Sequence, residues 1–309
     1  MHKDSLMLIT GGGGVLGAAL QKKLQDNDVT FIAPRREELD LLNAEATGDY
    51  ISKHKPDIVV HLAAMVFGLG GNLKNQMNSV VNNTIINNNL FSALYQNPPK
   101  KIFFAGTVAS YPFPFKSLPL KEEDFFNGLP HYGEFGYAMA KRHAYTYLKI
   151  LKEEKNTSFT YGVFTNLFGI NDNFDIENSH VVPSLIAKAF RAKLDDKPLE
   201  VWGNGEAERD FLCSDDAARA ICFLLDNESI NDIINISSGK TYSIKYVAEL
   251  IAKAYCMDKE IKFLPAMPSG ILNRSVNNQK IIDMGFKLSI EFETAILNAC
   301  DWYASIQSK

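Results

Sequence analysis

The sequence TGGGGVLG, from Thr10 to Gly17, follows an apolar run at residues 6–10. It leads into residues 15–24, whose apolar residues recur at helical spacing. Small residues at a strand–helix junction let the backbone approach a pyrophosphate, which then accepts hydrogen bonds from the N–H groups that begin the helix. Glycines in this number also fit a flexible turn. Their place between a predicted strand and a predicted helix favours a dinucleotide-binding site.

Strand-like and helix-like segments alternate along most of the chain. The predicted strands are residues 6–10, 29–33, 57–62, 101–105, 159–166, 199–202 and 233–236. The predicted helices are residues 15–24, 46–54, 82–96, 138–154, 181–193, 215–225 and 244–255. This alternation is typical of right-handed βαβ units, so we expect an α/β fold with a doubly wound parallel sheet of the Rossmann type.

The alternation loosens after Gly169, where residues 171–179 form a predicted polar loop. We therefore expect two interleaved domains. The nucleotide-binding Rossmann domain takes residues 1–170 and 211–239. A smaller C-terminal substrate domain takes residues 171–210 and 240–309.

Composition and charge exclude several classes of function. The chain has 309 residues, 46% of them hydrophobic, and its net charge is −4. Nucleic-acid binding through phosphates normally needs a basic protein, so we expect no nucleic-acid partner. We also expect no membrane span, since no apolar run reaches about 18 residues, and the N-terminus lacks a signal-peptide pattern. The four cysteines have neither metal-binding nor disulfide spacing, so we expect a cytoplasmic protein with reduced thiols and no metal.

The residues after the second predicted strand indicate which dinucleotide binds. An acidic residue there would accept a hydrogen bond from a free ribose 2′-hydroxyl, but this strand is followed by Pro34, Arg35 and Arg36. Guanidinium groups suit a 2′-phosphate because they form charge-assisted hydrogen bonds. A solvated surface cluster with Glu37 and Glu38 is the alternative. The pattern favours NADP(H) over NAD(H).

Tyr137 and Lys141 are four residues apart on a predicted helix and share one face. A lysine ammonium near a phenol stabilises the phenolate, so we expect the pKa of Tyr137 to be lowered, which favours proton transfer near neutrality. Thr107 follows the fourth predicted strand, at the sheet edge where ligands bind. Its hydroxyl can donate a hydrogen bond to a substrate oxygen. A solvated helix face is the alternative for the tyrosine and lysine taken alone.

With the glycine loop and the sequence HLAA at residues 61–64, these residues resemble the extended short-chain dehydrogenase/reductase family. Within it, the chain is similar to the GDP-L-fucose synthases, NADPH-dependent 3,5-epimerase/4-reductases of nucleotide-sugar biosynthesis that act on GDP-4-keto-6-deoxymannose. The motifs of this narrower similarity are TNLFG at 165–169, DNF at 172–174, SHVVP at 179–183, VWGNG at 201–205 and RDF at 209–211. The similarity extends over nearly the whole chain.

The resemblance implies a role for each matching position. Tyr137 would give a proton to the C4 oxygen of the sugar, Thr107 would hold that oxygen, and Lys141 would bind the nicotinamide ribose. His180 matches the family's acid–base histidine. The implied cofactor-binding residues are Gly11, Gly14, Val15, Leu16, Gly17, Arg36, Asp40, Leu41, Ala63, Ala64, Lys141, Asn166, Leu167 and His180. The implied substrate-binding residues are Lys188, Trp202, Arg209 and Arg274, the last standing where the family usually has a diphosphate-binding lysine.

The chain departs from the family at Ala109. The family has a catalytic cysteine there, the acid–base partner of the histidine that matches His180, and a methyl group cannot carry a proton. The neighbouring Ser110 is a poor base without an activating partner. We therefore expect an NADPH-dependent C4-ketoreductase of a GDP-linked 4-keto hexose or heptose, without C3 or C5 epimerase activity. The resemblance also implies a homodimer that pairs residues 82–96 and 138–154 across a two-fold axis.

Other functions remain as alternatives. The nearest is a bifunctional 3,5-epimerase/4-reductase, and the most remote is a non-catalytic NADPH sensor. A 4,6-dehydratase would need Asp-Glu where this chain has Val108 and Ala109. A UDP-hexose 4-epimerase favours an acidic residue where this chain has Arg35 and Arg36.

Overall fold

Strands and helices alternate along the chain in a computed structural model that describes residues 5–176, 179–227, 230–267 and 270–307. The strands are β1 (Met7–Thr10), β2 (Phe31–Ile32), β3 (Ile58–His61), β4 (Lys101–Thr107), β5 (Ser158–Phe164), β6 (Asn166–Phe168), β7 (Glu200–Trp202), β8 (Glu208–Cys213), β9 (Asp232–Ile236), β10 (Thr241–Ser243), β11 (Lys262–Leu264) and β12 (Asn273–Arg274). The helices are α1 (Val15–Gln25), α2 (Ala44–His54), α3 (Leu69–Lys74), α4 (Gln76–Gln96), α5 (Phe135–Lys155), α6 (Val181–Leu194), α7 (Ser214–Asp226), α8 (Ile244–Ala254), α9 (Gln279–Asp283) and α10 (Phe292–Gln307). Over the ranges just given, no helix is both long enough and apolar enough to cross a membrane.

Six strands form one parallel sheet in the order β2-β1-β3-β4-β5-β9. The chain builds this sheet in both directions from β1, because β2 lies on one side of it and all later strands lie on the other. Such a reversal leaves a crevice at the carboxyl ends of the strands, where open α/β sheets bind ligands. Every residue of β1 and β3 is buried, as expected for strands covered on both faces. The predicted doubly wound parallel fold is confirmed.

Two hydrophobic cores cover the two faces of this sheet. Ile9 packs in one core with residues of α1 and α7, such as Leu20 and Ile221. Leu8 packs in the other core with residues of α4 and α5, such as Leu90 and Leu148. Neighbouring residues enter opposite cores because side chains alternate along a strand.

The C-terminal half adds a third core and two small sheets. β8 pairs with β6, β10 and β12, and β7 pairs with β11. Their buried side chains pack with those of α6, α8 and α10. Ile281 and Phe286 come from the segment predicted to be substrate domain, but they pack in the core of α1 and α7. The division into two domains stays a prediction.

Several boundaries differ from the predicted segments. The predicted strand 159–166 is interrupted, because β5 ends at Phe164 and β6 leaves the central sheet to pair with β8, which was not predicted. The predicted strand 29–33 contains only Phe31–Ile32, since the N–H of Val29 is still bonded to the carbonyl of Leu24 at the end of α1. Residues 177 and 178 of the predicted polar loop lie outside the described residues.

Candidate active site

One large cavity, with a volume of about 1410 Å³, lies at the carboxyl ends of the central strands. Every residue that the sequence assigned to catalysis, cofactor binding or substrate binding lines this cavity. The fold thus brings together positions as distant in the chain as Gly11 and Arg274. Within the described part of the chain, no group of three or more His, Cys, Asp or Glu side chains could hold a metal ion.

The glycine loop is shaped by two close backbone approaches. Gly11 has a φ of +74°, and a Cβ there would lie 2.6 Å from the backbone nitrogen of Ala63. A Cβ on Gly17 would lie 2.5 Å from the carbonyl oxygen of Gly11. Gly14 precedes α1 without a side-chain cap, and the first turn carries no acidic residue. The start of α1 therefore offers its N–H groups and the positive end of its dipole to an anion in the cavity.

Arg36 stands at the rim of this end of the cavity. Its side chain is 68% exposed, and its Nε lies 3.7 Å from the carboxylate of Asp40. The same carboxylate accepts a hydrogen bond from the N–H of Leu42 at 3.1 Å. One exposed contact of this length holds a guanidinium only weakly, so a phosphate that reached the rim would compete for it easily.

A buried polar chain ties the glycine loop to α5. His61 at the end of β3 accepts from the hydroxyl of Thr10 at 2.6 Å and donates to the side-chain oxygen of Asn87 at 3.1 Å. Asn87 in turn donates to the carbonyl of Ala140 at 3.1 Å. Burial and the charge of Lys141 lower the pKa of His61 to about 3, so the imidazole is neutral. His61 therefore has a structural role: it does not line the cavity, and it links the glycine loop to α5.

Tyr137 and Lys141 lie one turn apart on α5 and face the cavity. The Lys141 ammonium is 5.9 Å from the Tyr137 ring centre and donates to the carbonyl of Ala105 at 2.8 Å. Burial lowers the pKa of Lys141 to about 7. Burial, and then the Glu134 carboxylate, raise the pKa of Tyr137. The expected lowering of the Tyr137 pKa is not found. Burial of the phenol raises this pKa and outweighs the Lys141 ammonium, which is hydrogen-bonded to Ala105 instead. Tyr137 is protonated at neutral pH, the state that a proton donor needs.

The wall beside Tyr137 holds Thr107 and Ala109. Thr107 accepts a hydrogen bond from the N–H of Ala109 at 3.2 Å, which leaves its hydroxyl hydrogen for a ligand. Ser110 is fully buried away from the wall and donates to the carbonyl of Ala138 at 3.1 Å. All four cysteines lie in the described ranges, and none of them lines the cavity. The position of the family's cysteine therefore carries no group that can transfer a proton.

Charged side chains surround the opposite end of the cavity. The Lys188 ammonium lies 4.7 Å from the Trp202 ring centre, a cation–π distance. Arg274 makes two hydrogen bonds to the carboxylate of Glu134, and the two side chains are 7% and 19% exposed. Burial raises the pKa of Glu134, but the Arg274 guanidinium more than offsets this and holds it below its ordinary value. Burial and the neighbouring Arg274 lower the pKa of Arg209 to about 10.

Glu134 lines the cavity but was not predicted, and neither was Gln76, which supports α5 from outside the cavity wall. Glu134 occupies the position that caps α5, but its side chain pairs with Arg274 instead of the helix. Gln76 accepts a hydrogen bond from the N–H of Gly136 at 2.7 Å and so fixes the start of the same helix. An acidic residue three positions before Tyr137 was the only available signal. The partner is 140 residues away, so no spacing pattern could have shown the ion pair.

Comparison with known proteins gives a consistent result. A family model described as "NAD dependent epimerase/dehydratase family" matches residues 7–237. The GDP-L-fucose synthase of Sinorhizobium fredii is 30% identical over 298 residues, which cover 96% of this chain and 95% of that protein. The sequence motifs indicated the same similarity.

Two solved structures from Campylobacter jejuni resemble this chain over nearly their full length. A GDP-mannoheptose C4 reductase with NADP bound has a TM-score of 0.88 at 29% identity and covers 98% of this chain and 99% of its own. A GDP-6-OMe-4-keto-L-xylo-heptose reductase has a TM-score of 0.91 at 29% identity and covers 99% of each chain. Similarity at this level extends beyond the central sheet to the C-terminal half of the chain.

Proposed function

The chain belongs to the NAD dependent epimerase/dehydratase family, and from this premise we propose that it is an NADPH-dependent C4-ketoreductase of nucleotide-sugar biosynthesis. Its substrate is a GDP-linked 4-keto sugar, a hexose or a heptose, whose C3 and C5 configurations are already set. The observation that carries the proposal is the cavity wall on which Thr107, Tyr137 and Lys141 stand beside Ala109. The names of the relatives, which include GDP-sugar synthases and reductases, support the substrate class.

The cofactor is NADP(H), and the residues at the glycine end fit it. Gly11 and Gly17 let the loop pack closely against the backbone of Ala63 and against itself, and the start of α1 behind it offers N–H groups to a pyrophosphate. We assign Arg36 to the 2′-phosphate, because its guanidinium stands exposed at the rim. When bound, NADPH supplies the hydride for the carbonyl carbon.

Three side chains account for the rest of the reduction. Tyr137 donates its phenolic proton to the C4 oxygen as that oxygen gains negative charge. Thr107 donates a second hydrogen bond to the same oxygen, which stabilises the developing charge. Lys141, when protonated, stabilises the phenolate that Tyr137 becomes.

Epimerisation would need a second proton-transferring group that this cavity wall, among the described residues, does not provide at the position of the family's cysteine. Inversion next to a ketone requires a base on one face of the carbon and an acid on the other. His180 on the cavity wall is one such group, and Ala109 takes the place of the second. Glu134 is a poor substitute, since both carboxylate oxygens accept hydrogen bonds from Arg274 and its pKa is lowered.

The test is incubation of the protein with NADPH and GDP-4-keto-6-deoxymannose in D₂O, followed by NMR of the product. We expect NADPH oxidation and a product without solvent deuterium at C3 and C5. Deuterium at those carbons with inverted configuration would establish the bifunctional alternative. Binding of NADPH without oxidation by any GDP-linked or UDP-linked 4-keto sugar would favour the non-catalytic sensor.

We also propose a homodimer formed through α4 and α5. Met77, Val81 and Ile85 stand on one face of α4 and are 74%, 44% and 38% exposed. Ile150 of α5 adds a further exposed apolar side chain. A stripe of this kind suits a second copy related by a two-fold axis. Sedimentation velocity should show a dimer that Val81→Glu converts to a monomer. A monomeric native protein at micromolar concentration would contradict this.

A further inference from the structure

His131 is a cavity-lining residue that neither the sequence motifs nor the proposed reaction uses. It precedes a short turn of residues 132–134, which leads directly into α5 and so to Tyr137. The residue is half-buried, so part of its ring stays open to the cavity. An imidazole can donate or accept hydrogen bonds, and the surroundings of its two nitrogens decide what it can bind.

The two ring nitrogens of His131 differ in their hydrogen bonds. Nδ1 accepts a hydrogen bond from the N–H of Gly133 at 3.1 Å and so caps the turn. A backbone N–H can only donate, so Nδ1 must offer its lone pair, and the hydrogen of the neutral imidazole lies on Nε2. Among residues 5–176, 179–227, 230–267 and 270–307, no group forms a hydrogen bond with Nε2. His131 therefore offers a ligand one N–H donor.

Two neighbours hold the ring of His131 in place. The ring of Phe113 packs edge-to-face against it, with ring centres 4.8 Å apart and the planes at 83°. A Cβ on Gly133 would lie 3.1 Å from both Nδ1 and Cε1, so this edge of the ring packs against the turn. The part of the ring that carries Nε2 is left to face the cavity. A donor fixed in this way loses little conformational entropy when a ligand binds.

The surroundings of this donor favour a neutral ligand group. Glu134 also lines the cavity, three positions after His131, and its side chain forms an ion pair with Arg274. The two charges offset each other, so this part of the wall offers a phosphate no net attraction. A hydroxyl oxygen is a neutral acceptor that fits an imidazole N–H, and sugars carry several. The turn leads into the helix of Tyr137, which places the hydroxyl on the sugar that is reduced.

We propose that His131 donates a hydrogen bond from Nε2 to a hydroxyl oxygen of the sugar and so helps to determine which sugar is accepted. The proposal rests on the proposed function, since it takes a nucleotide sugar as the ligand. His131 acts here as a donor and not as a base. The Nδ1 lone pair is engaged by Gly133 and Nε2 carries the hydrogen, so no lone pair is free to take a proton from carbon.

Two substitutions test the two nitrogens separately. The side-chain oxygen of Asn can replace Nδ1 as the cap of the turn, but His131→Asn has no atom at the position of Nε2. In His131→Gln an amide N–H can reach the position of Nε2, but the cap is lost. His54→Asn is the matched control, because that histidine is half-buried and lies off the cavity wall.

Calorimetry with GDP-mannose and with GDP measures the affinity that the sugar adds. We expect His131→Asn to bind GDP-mannose about 3–10-fold more weakly, the loss of one neutral hydrogen bond, while GDP binds as before. His131→Gln and His54→Asn should keep most of the affinity for GDP-mannose. Unchanged binding of GDP-mannose by His131→Asn would overturn the proposal. An equal loss for GDP would also overturn it, because the contact would then be with the nucleotide or its phosphates.

Thermal unfolding separates this contact from a structural role. Loss of the cap should lower Tm more in His131→Gln than in His131→Asn, which is the reverse of the order expected for sugar affinity. The same order in both measurements would contradict the proposal, because affinity would then follow stability. Calorimetry needs no turnover, so it tests His131 even if the proposed reaction is wrong. A native protein that binds GDP-mannose but reduces no 4-keto sugar would refute only the proposed function.

Discussion

The two ends of the active-site cavity are lined by different kinds of groups, backbone at one end and charged side chains at the other. The cofactor end is made mainly of backbone, with Gly11 and Gly17 closely packed against other backbone atoms and Arg36 exposed at the rim. The substrate end is made of buried charged side chains, among them the pair of Glu134 and Arg274. A backbone cradle depends on a short local sequence, whereas a buried ion pair depends on partners that meet only in the folded chain. The cofactor is thus easier to recognise from a sequence than the substrate.

The largest effect is expected at Tyr137, the proposed proton donor. Tyr137→Phe removes only a hydroxyl, so reduction should fall about 10²–10⁴-fold while NADPH affinity is kept. Stopped-flow NADPH oxidation and a fluorescence titration with NADPH measure the two effects. Tyr132→Phe is the matched control, because that side chain is 80% exposed and should leave the rate unchanged. Near-native turnover in Tyr137→Phe would assign the proton to another group.

A second prediction concerns the stability of the substrate end. Glu134→Gln leaves the buried guanidinium of Arg274 without its counter-ion, so the free energy of unfolding should drop by about 3–5 kcal/mol. Urea denaturation followed by circular dichroism gives this value. Combining it with Arg274→Met should recover much of the loss, because no unpaired charge is then buried. A loss below about 0.5 kcal/mol in Glu134→Gln, the size expected of a surface pair, would remove the contrast between the two ends.

At the cofactor end, loss of a charge should affect binding and spare stability. Arg36→Ala should weaken NADPH binding by about 1.5–3 kcal/mol, the value of a charge-assisted hydrogen bond. NADH lacks the 2′-phosphate and serves as the control ligand, with an affinity that should not change. Isothermal titration calorimetry with both dinucleotides tests the effect on binding. Urea unfolding of the same variant tests the effect on stability. Equal binding of NADH and NADPH by the native protein would contradict it.

The smallest effect is a pH dependence that arises at Lys141. Burial lowers the pKa of this ammonium to about 7, so the protonated form is lost as pH rises through that value. The kcat/KM of the free enzyme should then fall about tenfold per unit above pH 7. Lys141→Arg keeps its charge across this range and should flatten the decline, even at a lower rate. The same decline in Lys141→Arg would show that a different group titrates.

Stretches of local sequence were enough to predict the strands of the central sheet, the glycine loop and the face shared by Tyr137 and Lys141. Each of these depends on residues within a few positions of one another, so periodicity and spacing reveal them. The strand β8 was missed because its sequence, ERDFLC, has only a short apolar run. The direction of the Tyr137 pKa was also predicted wrongly, since spacing shows which groups are neighbours but not how much solvent they lose.

The amino-acid order alone determined the fold class, predicted a dinucleotide site at the glycine loop and placed a side chain that cannot carry a proton at Ala109. Other contacts were determined only by the tertiary structure, because no local sequence pattern predicts them. Folding pairs Glu134 with Arg274 and turns Ser110 away from the cavity. The physical reason is that hydrogen bonding and solvation of a buried group depend on every segment packed around it. For the substrate end of this protein, those segments come from distant parts of the chain.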